Sequence, residues 1–300
     1  MSPTQPKIAV VICTVGRPDT VDELVPYLVA QTRAADRVVF AVTRPEDIGT
    51  DSVGAFPAAT RVEVIFSEKG LPRQRNAGLA HVMGDCDIVV FFDDDFVPSK
   101  RTLQGIEDGF ARWPDVNGMT GQLIADGING PGFDDAQAAQ MVREYDQKPP
   151  TEARILRAGL EGLYGCNMAF RVSAIGATRF DERLPLYGWQ EDVDFAARVS
   201  GGRIKTDAFA GVHRGAKGGR ETSGAKLGYS QLANPWYLWR KGSLSGRFAL
   251  RLAARNMAAN HKGMLRPEPW IDRKGRAAGN WRALWEIATS RAKPERILEL

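Results

Sequence analysis

Apolar residues fall along this chain in two kinds of run. The first kind is nearly continuous. Residues 7–15, 36–42, 61–66 and Ile88 to Phe92 each crowd β-branched or aromatic residues into a short stretch. Such runs predict strands covered on both faces, as in a parallel sheet. The second kind is spaced at helical intervals. Val21, Leu24, Val25 and Leu28 share one face of a helix predicted over about 20–32, which Pro26 should kink. Gly70 to Ala80 begins as a loop and becomes a helix, with Pro72 near its first turn. Leu103, Ile106, Phe110 and Trp113 mark the buried face of a helix from Ser99, a plausible N-cap, to about 112. Strands alternating with helices predict βαβ units and an α/β fold.

Further on, strands are predicted near 116–124, over Leu163 to Arg171, and briefly over Arg203 to Thr206. Between them lie a Gly-rich loop at 125–133, a polar and partly helical stretch at 134–160, a loop from Phe180 to Gly188 and a helix at 191–200. A loop dense in Gly, Arg and Lys runs from Gly211 to Gly224. The last part reads as helices punctuated by Trp236, Trp239, Trp270, Trp281 and Trp285.

Length and charge sharpen this outline. With 300 residues, 43% of them apolar, the chain can build one large or two modest cores. The net charge of +4 is uneven: Ala233 to Leu300 holds 14 Lys/Arg and 5 Asp/Glu, so +9, which leaves −5 for the rest. No apolar stretch approaches the roughly 18–20 residues of a membrane span. Ile8 to Val15 runs into Gly-Arg-Pro-Asp without a small-residue cleavage site, which favours a first strand over a signal peptide. Cys13, Cys86 and Cys166 are odd in number and widely spaced, which implies reduced thiols and a cytoplasmic protein.

The chain's chemistry gathers at a few places. Ile88 to Phe92 leads straight into Asp93, Asp94 and Asp95, at the carboxyl end of a buried strand, where ligands bind in open α/β sheets. Alternation along an extended backbone puts Asp93 and Asp95 on one side and Asp94 on the other. The first and third could share a hard divalent ion; the plainer reading is a solvated acidic turn before a helix. In Gly188-Trp189-Gln190-Glu191-Asp192-Val193-Asp194, acids open a helix beside a Trp that could carry a sugar ring, and a carboxylate there could take a hydroxyl proton. His213 opens the cationic loop with Arg214, Lys217 and Arg220, suited to a diphosphate, and its imidazole would suit an Mn²⁺-like ion. Gly70 to Gly78 offers Arg73, Arg75 and helix-start amides to an anion. Arg247, Arg251 and Arg255 line one helix face, with Phe248, Leu252 and Met257 off it. That face suits either an interfacial helix on anionic lipid or a helix packed on the body with a solvated basic side. Nucleic acid is a weaker match, because no recognition motif accompanies the charge.

In combination and order, five segments resemble family-2 glycosyltransferases of the GT-A fold. They are IAVVICTVGRPD, GLPRQRNAGL, the Gly-Asp…Phe-Phe-Asp-Asp-Asp run, GCNMAFR, and Phe-Asp-Glu…Gly-Trp-Gln-Glu-Asp-Val-Asp…Arg. The resemblance spans roughly residues 7–215 and implies a Rossmann-like, mostly parallel central sheet flanked by helices. Residues 1–230 would be the catalytic domain, with a nucleotide-sugar half at 1–98 and an acceptor half at 99–230. Residues 231–300 would be a basic helical extension.

The resemblance implies roles position by position. Asp93, Asp94 and Asp95 match the metal- and diphosphate-binding acids, with Asp95 the direct ligand and His213 completing the metal site. Asp192 matches the catalytic base, and Trp189 and Glu191 fall on the acceptor side. Arg75 lies near the nucleotide. The second strand departs from the family pattern: it ends in Val42-Thr43-Arg44-Pro45, with acids only at Glu46 and Asp47, so Thr14, Gly16 and Arg17 would share the holding of the nucleotide. The implied activity is inverting transfer from a nucleotide-diphosphate sugar to a hydroxyl of a glycan or lipid-linked acceptor, with Mn²⁺ or Mg²⁺, as in polysaccharide biosynthesis. The extension would allow peripheral contact at the inner face of the membrane. Two alternatives stand beside it: a sugar nucleotidyltransferase, and a non-catalytic membrane-associated nucleotide-sugar-binding protein.

Overall fold

The structure is a computed structural model that describes residues 5–49, 52–217 and 223–300. The chain divides into two compact units. The first comprises Met1–Lys69, Arg73–Arg179 and Val199–Ala216; the second comprises Gly70–Pro72, Phe180–Arg198 and Lys217–Leu300.

Among the described residues, the first unit is built on one nine-stranded sheet in the order β3-β2-β1-β4-β8-β6-β9-β5, with β7 paired to β9. The strands are β1 Ile8–Cys13, β2 Arg37–Val42, β3 Arg61–Phe66, β4 Ile88–Asp93, β5 Phe96–Pro98, β6 Val116–Asp126, β7 Ile155–Ala158, β8 Asn167–Arg171 and β9 Gly202–His213. β1 to β4 are parallel, and β6 and β9 run with them. β5, β7 and β8 run the other way, so the sheet is mostly parallel. The flanking helices are α1 Pro18–Val29, α2 Leu71–Val82, α3 Thr102–Arg112, α4 Asp135–Gln147 and the short α5 Val172–Ile175.

Local sequence accounts for most of these elements. β1, β2 and β4 are buried almost end to end, as their unbroken apolar runs require. β3 is only half covered, because it is the sheet's outer strand. Val21, Leu24, Val25 and Leu28 are the buried face of α1; Pro26 lies inside that helix without ending it. Ser99 does not cap α3, which starts three residues later at Thr102. Its hydroxyl instead donates to Asp146 at 2.5 Å. β5 fills the interval between the acids and α3, paired to the end of β9.

The second unit holds α6 Glu191–Arg198, α7 Gly224–Lys241, α8 Gly246–Gly263 and α9 Arg273–Ala288. Its core joins Tyr229, Leu232 and Ala233 of α7 to Ala283 of α9 and to Ile297. Phe248 and Met257 face inward from α8, as their position off the arginine stripe predicts. At the centre, Asn260 Nδ2 donates to Gln231 Oε1 (2.7 Å) and Asn280 Oδ1 (2.9 Å), so buried amides tie three helices together. No helix of the described residues is long and apolar enough to cross a membrane.

Candidate active site

Pairing of β1 with β4 sets Cys13 opposite Asp93, so the loop after β1 and the acids after β4 leave the sheet side by side. Asp94 turns toward that loop. It accepts from Thr14 Oγ1 at 2.8 Å and pairs with Arg17 Nη1 at 2.9 Å. Burial pushes its carboxyl up, and Asp95 adds to this against the pull of Arg17. The preceding and following acids point elsewhere; the backbone is not extended as alternation assumes, because β4 ends at Asp93 and Asp94-Asp95 form a turn. Asp93 pairs with Arg75 Nη2 at 2.8 Å, and the buried Arg75 also donates to the Gly165 carbonyl. Asp95 Oδ2 accepts from the Ala216 amide at 2.7 Å, and its Oδ1 lies 3.4 Å from His213 Nε2. Burial would raise Asp95, but these contacts hold it below the ordinary carboxylate range.

His213 ends β9 directly opposite Phe96 of β5, which brings it to the acids across the sheet edge. One ligand atom each from Asp93, Asp95 and His213 lies within 4.8 Å of the others. On the far side of the ring, His213 Nδ1 meets Asp126 Oδ1 at 2.9 Å, with Tyr164 Oη at 3.3 Å. Burial lowers the imidazole, yet Asp126 and Asp95 outweigh it and push it up to about 10. Two carboxylates and an imidazole are oxygen and nitrogen donors without thiolate, a set that fits Mn²⁺ or Mg²⁺.

Other residues hold the loops of this unit. Asp47 is fully buried and accepts from the Gly16 amide (2.7 Å), from the Thr43 amide and hydroxyl (2.8 and 2.6 Å) and from the Arg44 amide (3.1 Å). It therefore ties the β1 loop to the β2 loop. Gly16 adopts φ +67°, a conformation that side chains resist. Arg214 pairs with Glu23 at 2.5 Å and donates to the Phe133 carbonyl.

In the second unit, the segment before α6 is conformationally unusual. Leu186, Gly188 and Gln190 have φ of +59°, +64° and +73°. A Cβ at Gly188 would come within 2.9 Å of Glu191 and Pro72, so the position takes no side chain. Asn234 of α7, buried, donates to the Trp189 carbonyl at 2.8 Å and fixes this bend. The helix then sorts its acids. Glu191 and Asp194 turn inward, while Asp192 and the half-buried Trp189 retain access to solvent. Asp194 pairs with Arg198 (2.6 Å) and Lys241 (2.9 Å). Lys217 belongs to this unit and is half-buried. Arg220 lies outside the described residues.

Residues 9–178 match the model of the family described as glycosyl transferase family 2. The chain belongs to that family. It is a glycosyltransferase, and the nucleotidyltransferase alternative falls away. TarS 1–349 from S. aureus, solved with UDP-GlcNAc, superposes with a TM-score of 0.56 at 14% identity, over 98% of this chain and 90% of that one. The mannosyltransferase PcManGT from Pyrobaculum calidifontis, solved with GDP-Man and Mn²⁺, gives 0.50 at 16% identity, over 95% and 88%. At such identities the likeness shows the shared GT-A fold. No curated protein matches the sequence.

Sequence reasoning did not single out Asp126, Tyr164 or Asn234 as parts of these sites. A signal existed for Asp126, which ends an apolar strand just as Asp93 does. Asn234 is a polar residue inside the buried run Leu232-Ala233-Asn234-Pro235.

Proposed function

We propose that this glycosyltransferase moves a sugar from a nucleotide-diphosphate donor to a hydroxyl of a glycan or lipid-linked acceptor, with inversion, and that it requires a divalent metal, Mn²⁺ or Mg²⁺. The observation that carries the reading is the convergence of Asp93, Asp95 and His213 at the carboxyl ends of β4 and β9. These three residues would hold the ion, which when bound offsets charge building on the leaving diphosphate.

The chain's own groups perform the rest. Asp94 keeps Thr14 and Arg17 in place beside Gly16, and with the buried Arg75 they form the nucleotide side. Lys217 and Arg220 supply positive charge to the diphosphate and shield it from water, and Arg214 joins them on leaving its pair with Glu23. Asp47 is wholly engaged by backbone and hydroxyl donors, so recognition of the base falls to the β1 loop. Asp192, accessible on the first turn of α6, takes the proton from the acceptor hydroxyl at its carboxylate. Trp189 shapes the acceptor side, and the buried Glu191 acts there from beneath the bend that carries it. The catalytic parts fall within residues 1–230, and 231–300 supports them, since Asn234 braces the Trp189 bend.

Binding of UDP, GDP, dTDP and CMP, each with and without Mn²⁺ or Mg²⁺, tests this by thermal shift. The expected result is stabilisation by one nucleoside diphosphate that needs metal and is lost in Asp95→Ala. Equal stabilisation with and without metal would refute the metal assignment. No binding to any of them, with metal present, would refute the nucleotide-diphosphate donor.

A further inference from the structure

From Arg240 to Pro267 the sequence holds seven Lys/Arg and no Asp or Glu. Several other cations of the second unit are neutralised: Lys241 by Asp181 and Asp194, Arg273 by Glu268, Arg282 and Arg296 by Glu286. On α8 they are not. Arg247, Arg251, Arg255 and Lys262 repeat at helical spacing on its outer face, all exposed, and among the described residues none has a carboxylate partner. An unscreened stripe of this kind costs self-repulsion unless an anionic surface lies against it.

Apolar side chains border the stripe. Leu250 is 73% exposed and Leu265 84%. His261 lies three helical turns beyond Leu250, so on the same flank of α8. There it accepts from Trp281 Nε1 at 2.9 Å, which fixes the indole ring of α9 against the last turn of α8 while 56% of it stays exposed. One turn further along α9, Trp285 is exposed beside an open groove of about 390 Å³ lined by Arg282, Glu286, Arg291, Lys293 and Arg296. Arg291 has no carboxylate partner among the described residues.

We propose that this face of α8 and α9 docks on an anionic lipid bilayer, with the arginines at headgroup phosphates and Leu250, Leu265 and the two indoles in the interface. Charge alone would also suit a nucleic acid. The apolar flank decides against it, because leucines left in water on a sugar–phosphate backbone would gain nothing from contact. The proposal goes beyond the catalytic reading and does not rest on it.

The test is co-sedimentation of the full chain with vesicles of phosphatidylcholine alone and of phosphatidylcholine mixed with phosphatidylglycerol. The expected result is binding to the mixed vesicles only, weakened by salt, with a blue shift of tryptophan emission. At about fivefold per cation, Arg247→Ala/Arg251→Ala/Arg255→Ala should weaken partition on the order of 100-fold. Its nucleotide binding should match the wild type and its unfolding temperature should stay close to it, because all three side chains are exposed and only Arg251 nears the core, over the Phe248 ring. Leu250→Ala/Trp281→Ala should weaken partition and reduce the blue shift at unchanged charge. Equal binding to both vesicle types, binding to neither, or wild-type partition by the triple variant would overturn the proposal. So would unaltered vesicle binding by Leu250→Ala/Trp281→Ala together with equally tight binding of duplex DNA, which would make the face a general polyanion surface.

Discussion

The molecule carries two acid clusters, and they sort their carboxylates by different rules. Asp93 ends β4, and Asp94 and Asp95 make the tight turn that reverses the chain into β5. The middle acid turns away to Thr14 and Arg17, while the outer two meet His213. Glu191 to Asp194 open a helix, where residues three apart share a face. Glu191 and Asp194 turn inward together, and Asp192 between them stays accessible. Each cluster thus separates its acids, and the proposed roles follow that separation. A turn makes the separation in the first cluster, and the helical period makes it in the second.

The widest separation should come from the helical cluster. Asp192→Asn should lower transfer by about 10²–10⁴-fold, the range for losing a positioned base, with nucleotide binding unchanged. Asp194→Asn should instead lower the unfolding temperature. Near-normal transfer by Asp192→Asn, measured by product formation, would place the base elsewhere.

The next effect belongs to the strand cluster. Asp126 orients His213 from behind, so Asp126→Ala should weaken Mn²⁺ binding by about 10–100-fold with the ligands themselves intact. Calorimetric titration with Mn²⁺ alone reads this without any donor or acceptor.

Smaller effects probe the structural acids. Lys241→Ala should cost about 1–3 kcal/mol in urea unfolding, limited because Arg198 still faces Asp194. Asp181 provides a dependence on pH. Burial would raise its carboxyl, but Lys241, Tyr237 and the Arg183 amide hold it below the ordinary carboxylate range. The folded form therefore binds the proton less readily than the unfolded one. The resulting stabilisation is complete above about pH 4 and fades as pH falls through the lowered pKa. Asp181→Asn should flatten that part of the acid-stability profile.

The parallel strands and both acid clusters were legible in the sequence because they depend on short-range pattern. An unbroken apolar run ending in acids needs no distant partner to be recognised. β5 was not legible: Phe96-Val97-Pro98 is too short, and only β9, more than a hundred residues later, makes it a strand. The full length of β9 was hidden for a related reason, since Lys205, Thr206 and Asp207 interrupt its apolar pattern; the first two are accommodated by pairing with β6 and β7, and Asp207 by the Arg154 amide. The second strand's lack of terminal acids was visible, but the use of Asp47 to join the Gly16, Thr43 and Arg44 amides was not. Contacts such as Asp126 with His213, or Asn234 with Trp189, bridge segments that only the tertiary fold brings together.

Mn²⁺ affinity, measured by electron paramagnetic resonance of the free ion, tests the sorting of acids most directly when Asp95→Ala is set beside Asp94→Asn. The account predicts a loss of more than about 100-fold for Asp95→Ala, beyond what removal of a supporting partner alone gives. For Asp94→Asn it predicts affinity close to wild type. Equal losses in both variants, or a larger loss in Asp94→Asn, would contradict it.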